Sequence, residues 1–111
     1  MKIAIASNAD VVAEHFGHCQ RYAVFEVDSG NILGETSIDN PGHKPGFLPK
    51  FLHEQGVNVI ISGGMGSRAV ELFNEYGIET IVGAQGTVAD VIKSYLHGRL
   101  EATGSICHSD S

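Results

Sequence analysis

Three potential metal ligands lie within five residues of one another near the N-terminus. The segment EHFGHCQRY, residues 14 to 22, contains His15, His18 and Cys19 around a glycine. Thiolate and imidazole groups together favour zinc, copper or iron–sulfur species over magnesium. The paired CxxC motifs typical of structural zinc are missing from the sequence, so the residues indicate an open site rather than a zinc finger. Further potential ligands occur later in the chain: His43, Cys107 and His108.

A second interpretation makes Cys19 a nucleophile. His18 and Cys19 are adjacent and would point to opposite sides of an extended segment. His15 or His43 would then have to act as the base, and no third, orienting group can be identified. A two-metal nuclease would need carboxylates on the strands around the metals, and the apolar runs KIAIA and VNVIIS carry none. A nuclease is therefore excluded, whereas a thiol-dependent transferase stays an alternative.

Each of these residues also has a purely structural interpretation. Cys19 could be a small buried hydrophobic residue at the start of a strand, a common fate of an unpaired cysteine. His15 could form hydrogen bonds within its own loop. The segment 101–111, with Cys107 and His108, is expected to be a flexible tail.

Length and charge narrow the class of protein. A chain of 111 residues forms one domain, and its formal net charge of −6 argues against nucleic acid as a partner. The start MKIAIASNAD has too short an apolar run for a secretory signal, and no stretch is long enough to span a membrane. We therefore expect a cytoplasmic protein whose two cysteines are thiols or ligands rather than a disulfide.

The hydrophobic pattern predicts strands and helices in the order β-β-β-α-β-α-β-α. Alternating or continuous apolar runs predict five strands, and apolar residues at helical spacing predict three helices, each closed by a glycine. Three antiparallel strands followed by parallel crossovers give an α/β, ribonuclease-H-like, three-layer α/β/α domain with a mixed five-stranded sheet. The strands are predicted at 2–6, 22–27, 31–39, 57–62 and 78–82, and the helices follow Gly46, Gly66 and Gly86.

This strand order brings the loops with the candidate ligands and the glycine-rich turns to one end of the sheet. The loops at 7–20, 40–46, 63–66 and 83–86 all adjoin the same edge, where open α/β sheets bind ligands. The run Gly63-Gly64-Met65-Gly66 places backbone N–H groups at a helix N-terminus, which favours an anion such as a phosphate or a metal–sulfur cluster. The sequence thus predicts one site formed by several loops.

Three longer segments resemble the dinitrogenase iron–molybdenum cofactor biosynthesis family. They are HFGHCQRYAVFEV, VNVIISGGMGSRAVELFNEYGIETIVG and GTVADVIKSYLHGRL, and the resemblance covers residues 1 to 100 as a single NifX-like cofactor-binding domain. It implies a non-enzymatic protein that carries or inserts an iron–sulfur-based cluster, with molybdenum or another second metal as an option. It also implies donor and acceptor proteins of metal-cluster assembly as partners. The resemblance also implies that the cluster is held near the first loop by histidine or cysteine, and His15, Phe16, Gly17, His18 and Cys19 match that loop.

These observations together predict a cluster carrier. Cys19 and His18 are the favoured ligands, and Gly17 and residues 63–66 would adjoin the cofactor. Two alternatives stay open: an anion- or nucleotide-sensing regulatory module that uses the GxxG turns at 63–66 and 83–86, and a cysteine-dependent transferase. The less favoured candidate ligands are His15, His43, Cys107 and His108.

Overall fold

The computed structural model describes residues 1–42 and 46–98, and these residues form one mixed sheet of six strands. The strands are β1 Lys2–Asn8, β2 Val11–Val12, β3 Arg21–Asp28, β4 Asn31–Asp39, β5 Val59–Ile61 and β6 Glu79–Ile81. The strand order is β4-β3-β1-β5-β6, with β1 at the centre, and β2 pairs with one end of β1. Pairing is antiparallel between β1 and β2, β1 and β3, and β3 and β4, and parallel between β1 and β5 and between β5 and β6.

In the part of the chain that the structure describes, three helices pack against the sheet. Helix α1 spans Phe47–Glu54, α2 spans Ser67–Glu75 and α3 spans Val88–Leu96. The α/β class is confirmed. The five predicted strands and three predicted helices occur in the predicted order, but a further strand, β2, lies between the first two predicted strands. At the start of α3 the hydroxyl of Thr87 accepts a hydrogen bond from the Asp90 N–H, as its capping-box spacing indicates.

The helices lie on both faces of the sheet because alternate residues of the strands point to opposite sides. Ala4, Ala6 and Tyr22 belong to a core cluster with buried residues of α1 and α2. Ile3 and Ile5 belong to a second cluster with buried residues of α3. Within the described residues, no helix is long and apolar enough to cross a membrane.

The predicted number of strands is wrong, since the sheet has six and not five. The additional strand β2 is only two residues long, and Ser7 and Asn8 of β1 pair with it. The chain reverses between the two strands through Ala9, whose φ of 55° is in the left-handed region. Contacts distant in sequence support this short strand: the Val12 N–H donates to Gly86 O at 2.9 Å, and Val11 forms a bridge with Thr87. A two-residue strand stabilised in this way has no local sequence signal.

Candidate metal-cluster site

A short turn places two imidazoles at the carboxyl-end edge of the sheet. We call residues His15 to Cys19 the histidine turn; its centre, Phe16–His18, is one turn of 3₁₀ helix. Phe16 is buried and packs edge-on against Phe73, with ring centres 5.2 Å apart. His15 and His18 are exposed, and their ring centres lie 6.2 Å apart. The aromatic anchor therefore points into the core while both imidazoles stay accessible.

The glycine loop, residues 63–66, lies directly against this turn. The Gly63 N–H donates to Ala13 O at 2.9 Å, and the Phe16 N–H donates to Gly64 O at 2.9 Å. A Cβ atom on Gly63 would lie only 2.8 Å from Ala13 O, so the close approach of the two backbones requires glycine at this position. These contacts join the loops after β1 and β5, as their placement in the sequence predicts.

The two segments enclose a cavity of about 450 Å³ together with α1 and α2. Its walls are mostly apolar, and its polar groups come from the two histidines, Arg68 and the backbone of the glycine loop. The lining residues are His15, Phe16, Gly17 and His18 of the histidine turn, Gly64, Met65 and Gly66 of the glycine loop, Gly46, Leu48 and Pro49 at α1, and Arg68, Ala69 and Leu72 of α2.

The field at this cavity favours a negatively charged ligand, although the whole chain carries a net charge of −6. Helix α2 begins at the cavity, and its N-cap residue Gly66 has no side chain to accept hydrogen bonds from the first turn. The N-terminal end of a helix carries a partial positive charge. Arg68 adds a full positive charge on the same turn; its contact with Glu71, at 4.0 Å between two largely exposed groups, is weak.

Cys19 lies on the other side of the histidine turn. Its side chain is 5 % exposed and belongs to the core cluster with Phe16 and Tyr22, and it does not contribute to the cavity lining. Burial raises the pKa of the Cys19 thiol, and hydrogen bonds with Tyr22 and with Asn40 offset this shift only in part. The structure therefore brings His15 and His18 together and separates Cys19 from both. A ligand role of Cys19 stays a prediction, and it would require the turn to open.

The remaining predicted site residues fall into three groups. Gly17, Gly64 and Gly66 line the cavity, as does Met65, which is otherwise buried at 2 % exposure. Gly63 lines a different groove, beside the turn at 83–86. Among the residues that the structure describes, no group of three or more His, Cys, Asp or Glu side chains could hold a metal ion. Three predicted ligands lie outside the described residues: His43, Cys107 and His108.

The predicted site does not include several residues that belong to it in the structure. Leu48 and Leu72 form apolar walls of the cavity, and Arg68 adds a positive charge. Asn40 contacts the histidine turn through its side chain. Its position before Pro41 and Gly42 was a usable signal, because Asn-Pro-Gly is typical of a turn in which the Asn side chain binds the backbone.

Comparison with known proteins agrees with this architecture. The chain is 29 % identical over 106 residues to the uncharacterized protein MJ0580 of Methanocaldococcus jannaschii, an alignment that covers 91 % of this chain and 90 % of that protein. The crystal structure of PH0822 superimposes with a TM-score of 0.87 at 29 % identity, covering 94 % of this chain and 96 % of that one. The apo form of the orange protein from Desulfovibrio gigas shares the fold, with a TM-score of 0.77 at 21 % identity over 93 % and 92 % of the two chains.

The family assignment covers the whole described structure. The model of the family described as dinitrogenase iron-molybdenum cofactor matches residues 1–98, which include every strand and helix as well as the histidine turn and the glycine loop. The chain therefore belongs to the dinitrogenase iron-molybdenum cofactor family.

Proposed function

We propose that this protein binds and carries an iron–sulfur-based metal cluster, without catalysing a reaction, in the cavity between the histidine turn and α2. One observation carries the proposal: in a family named for a metal cofactor, two accessible imidazoles and the N-terminus of α2 adjoin the same cavity of about 450 Å³. In this proposal the cluster, which molybdenum or another metal could complete, is cargo that the protein receives and passes on.

The chemistry of the lining suits such a cargo. His15 and His18 supply nitrogen donors of the kind that bind iron, copper and zinc. Arg68 and the backbone N–H groups at the start of α2 would face the negative charge of the cluster's sulfides. Apolar side chains on α1 and α2 would restrict the access of water to the cluster.

Cys19 has a structural part in this proposal. Its burial and raised pKa favour the neutral thiol, whereas a metal ligand or a nucleophile must be a thiolate. The same two properties argue against a cysteine-dependent transferase. We thus revise the order of the ligands and propose His15 and His18 before Cys19.

The same proposal extends to the partners, the compartment and the fold class of the protein. A carrier needs donor and acceptor proteins of metal-cluster assembly, and its acidic surface would favour partners with a basic patch. We place this exchange in the cytoplasm. We also assign the order of strands and helices to the ribonuclease-H-like folds.

The proposal is tested on protein purified without oxygen and then reconstituted, also without oxygen, with ferric iron, sulfide and a thiol reductant. We expect bound iron and acid-labile sulfide near stoichiometric amounts, with a broad visible absorption band; molybdate is added in a parallel sample. His15→Ala and His18→Ala should each weaken binding at least about tenfold. His97→Ala is the control, since His97 lies at the far end of α3.

Two results would contradict this assignment. Wild-type protein that stays colourless and metal-free after reconstitution would exclude a cluster carrier. Unchanged uptake by the double variant of His15 and His18, together with loss of uptake in Cys19→Ala, would move the site to the buried side of the turn.

A second candidate function, an anion- or nucleotide-sensing module, uses the same cavity. It is favoured by Arg68 and by the N-terminus of α2, which lacks a side-chain cap. Inorganic phosphate or a nucleotide should then raise the melting temperature without adding colour, and Arg68→Ala should abolish that increase.

A further inference from the structure

The side chain of Asn40 connects the end of β4 to the histidine turn. Its Nδ2 donates to Cys19 O at 2.8 Å and to Gly17 O at 3.3 Å, and it lies 3.9 Å from Cys19 Sγ. The Asn40 backbone N–H also donates to Gln20 O at 3.1 Å. Asn40, which is distant in sequence, thus donates hydrogen bonds to three carbonyl groups between residues 17 and 20.

Both ends of the Asn40 amide are in use. Its Oδ1 accepts a hydrogen bond from the Gly42 N–H at 2.9 Å, while Nδ2 donates to the turn. This pair of contacts fixes the orientation of the amide and requires a donor and an acceptor in one short side chain. Aspartate would keep the bond to Gly42 but would place a second oxygen against the Gly17 and Cys19 carbonyls. Alanine would lose all of these bonds.

A second side chain completes the anchoring of the turn. The buried Tyr22 hydroxyl donates to Phe16 O at 3.1 Å. The carbonyls of Phe16, Gly17 and Cys19 are therefore all bound by side chains that do not line the cavity. These bonds hold the backbone of the turn on the side away from the cavity, and the imidazoles of His15 and His18 remain accessible.

From this arrangement we infer that Asn40 is a positioning residue for the cluster site: its amide fixes the histidine turn so that His15 and His18 both face the cavity. The inference rests on the proposed function, because it assigns those two histidines to the cargo. Asn40 acts through the turn and does not touch the cargo itself.

The test uses Asn40→Ala, Asn40→Asp and a matched control, Asn58→Ala. Asn58 also makes a side-chain bond to the backbone, accepting from the Lys2 N–H at 2.7 Å, but it precedes β5 and so lies at the opposite end of the sheet. The first readout is NMR of the metal-free proteins. The ring-proton shifts of His15 and His18, and the contact between their rings, should change in both Asn40 variants and stay as in the wild type in Asn58→Ala.

The second readout is cluster uptake with iron and sulfide. Both Asn40 variants should bind at least about tenfold more weakly than Asn58→Ala, a loss typical of groups that orient a metal ligand. Ring signals that are the same in wild type and both Asn40 variants would overturn the inference, even if every protein binds the cluster. Where the wild type does bind the cluster, equal uptake by both Asn40 variants would overturn it as well.

The two proposals can fail separately. If the wild type takes up no cluster, the proposed function is refuted, and the ring signals of the metal-free proteins still decide whether Asn40 positions the turn. The aspartate variant keeps the bond to Gly42, so it serves as the folded comparison if Asn40→Ala is unstable.

Discussion

Adding one methyl group at Gly63 should destabilise the fold and, with it, the proposed cluster site. The new Cβ would lie 2.8 Å from Ala13 O, 3.0 Å from Glu14 Cα and 3.2 Å from Glu14 O. All three atoms belong to the backbone, so no side chain can rotate away, and the segment must retreat by about half an ångström. Overpacking of this kind costs roughly 1–3 kcal/mol. The retreat also stretches the bond from the Gly63 N–H to Ala13 O, and weakening such a bond adds about 1 kcal/mol.

We therefore expect Gly63→Ala to lower the free energy of unfolding by about 2–4 kcal/mol, a large part of the ~5–15 kcal/mol typical of a domain. Urea unfolding followed by circular dichroism measures this loss. Gly34→Ala is the control, because nothing lies within 4 Å of its Cβ and its φ is not positive; its effect should stay within about 0.5 kcal/mol. Gly63→Ala within 0.5 kcal/mol of wild type, roughly the size of a neutral surface change, would refute the close-approach explanation of this glycine.

Three further predictions concern the buried polar groups and one helix cap. In a Cys107→Ser background, iodoacetamide should modify Cys19 at least about tenfold more slowly in the folded than in the urea-unfolded protein, since its thiol is buried and its pKa is raised; equal rates would contradict that burial. Burial raises the pKa of Cys19 and Tyr22 above the ordinary values of 9.0 and 10.0, so the folded state keeps protons that the unfolded chain loses. The contribution of these two protons to the free energy of unfolding is complete below about pH 9 and decreases above it, by up to roughly 1.4 kcal/mol per pH unit for each group. Urea unfolding from pH 8 to 11 should show that the free energy of unfolding decreases less steeply with pH in Tyr22→Phe than in the wild type. Thr87→Ala removes the 3.1 Å bond from the Asp90 N–H and should cost about 1 kcal/mol, whereas Thr87→Ser should keep most of it.

The sequence was sufficient for the order of strands and helices because each core strand and each helix carries a strong hydrophobic period. Strand β4 matches its predicted span, and α1 and α3 begin directly after turns marked by glycine or by a capping threonine. The meeting of the loops after β1 and β5 also follows from strand direction alone, and the hydrogen bond from the Phe16 N–H to Gly64 O is its direct consequence.

The orientation of individual side chains around the histidine turn could not be predicted in the same way. The backbone conformation of the turn decides whether Cys19 or His18 faces the core. In this protein that conformation is the 3₁₀ turn at Phe16–His18. The large ring of Phe16 has most to gain from burial, so it takes the inward position, and Cys19 follows it to the same side. Two side chains from outside the turn keep this orientation: Tyr22 of β3, and Asn40, the residue directly after β4.

The separation of the thiol from the imidazoles has a consequence for the proposed transfer of a cluster. Thiolate ligands hold metal–sulfur clusters through strong, charged bonds, whereas neutral imidazoles and backbone dipoles bind more weakly. A cargo held by His15 and His18 beside the N-terminus of α2 is therefore easier to pass to an acceptor than one anchored by Cys19. The acceptor would need only to offer thiolates of its own, and the exchange would then run toward the stronger ligands. A wild-type protein that delivers its cluster to a thiolate-bearing acceptor, faster than a His18→Cys variant does, would be the expected behaviour of such a site.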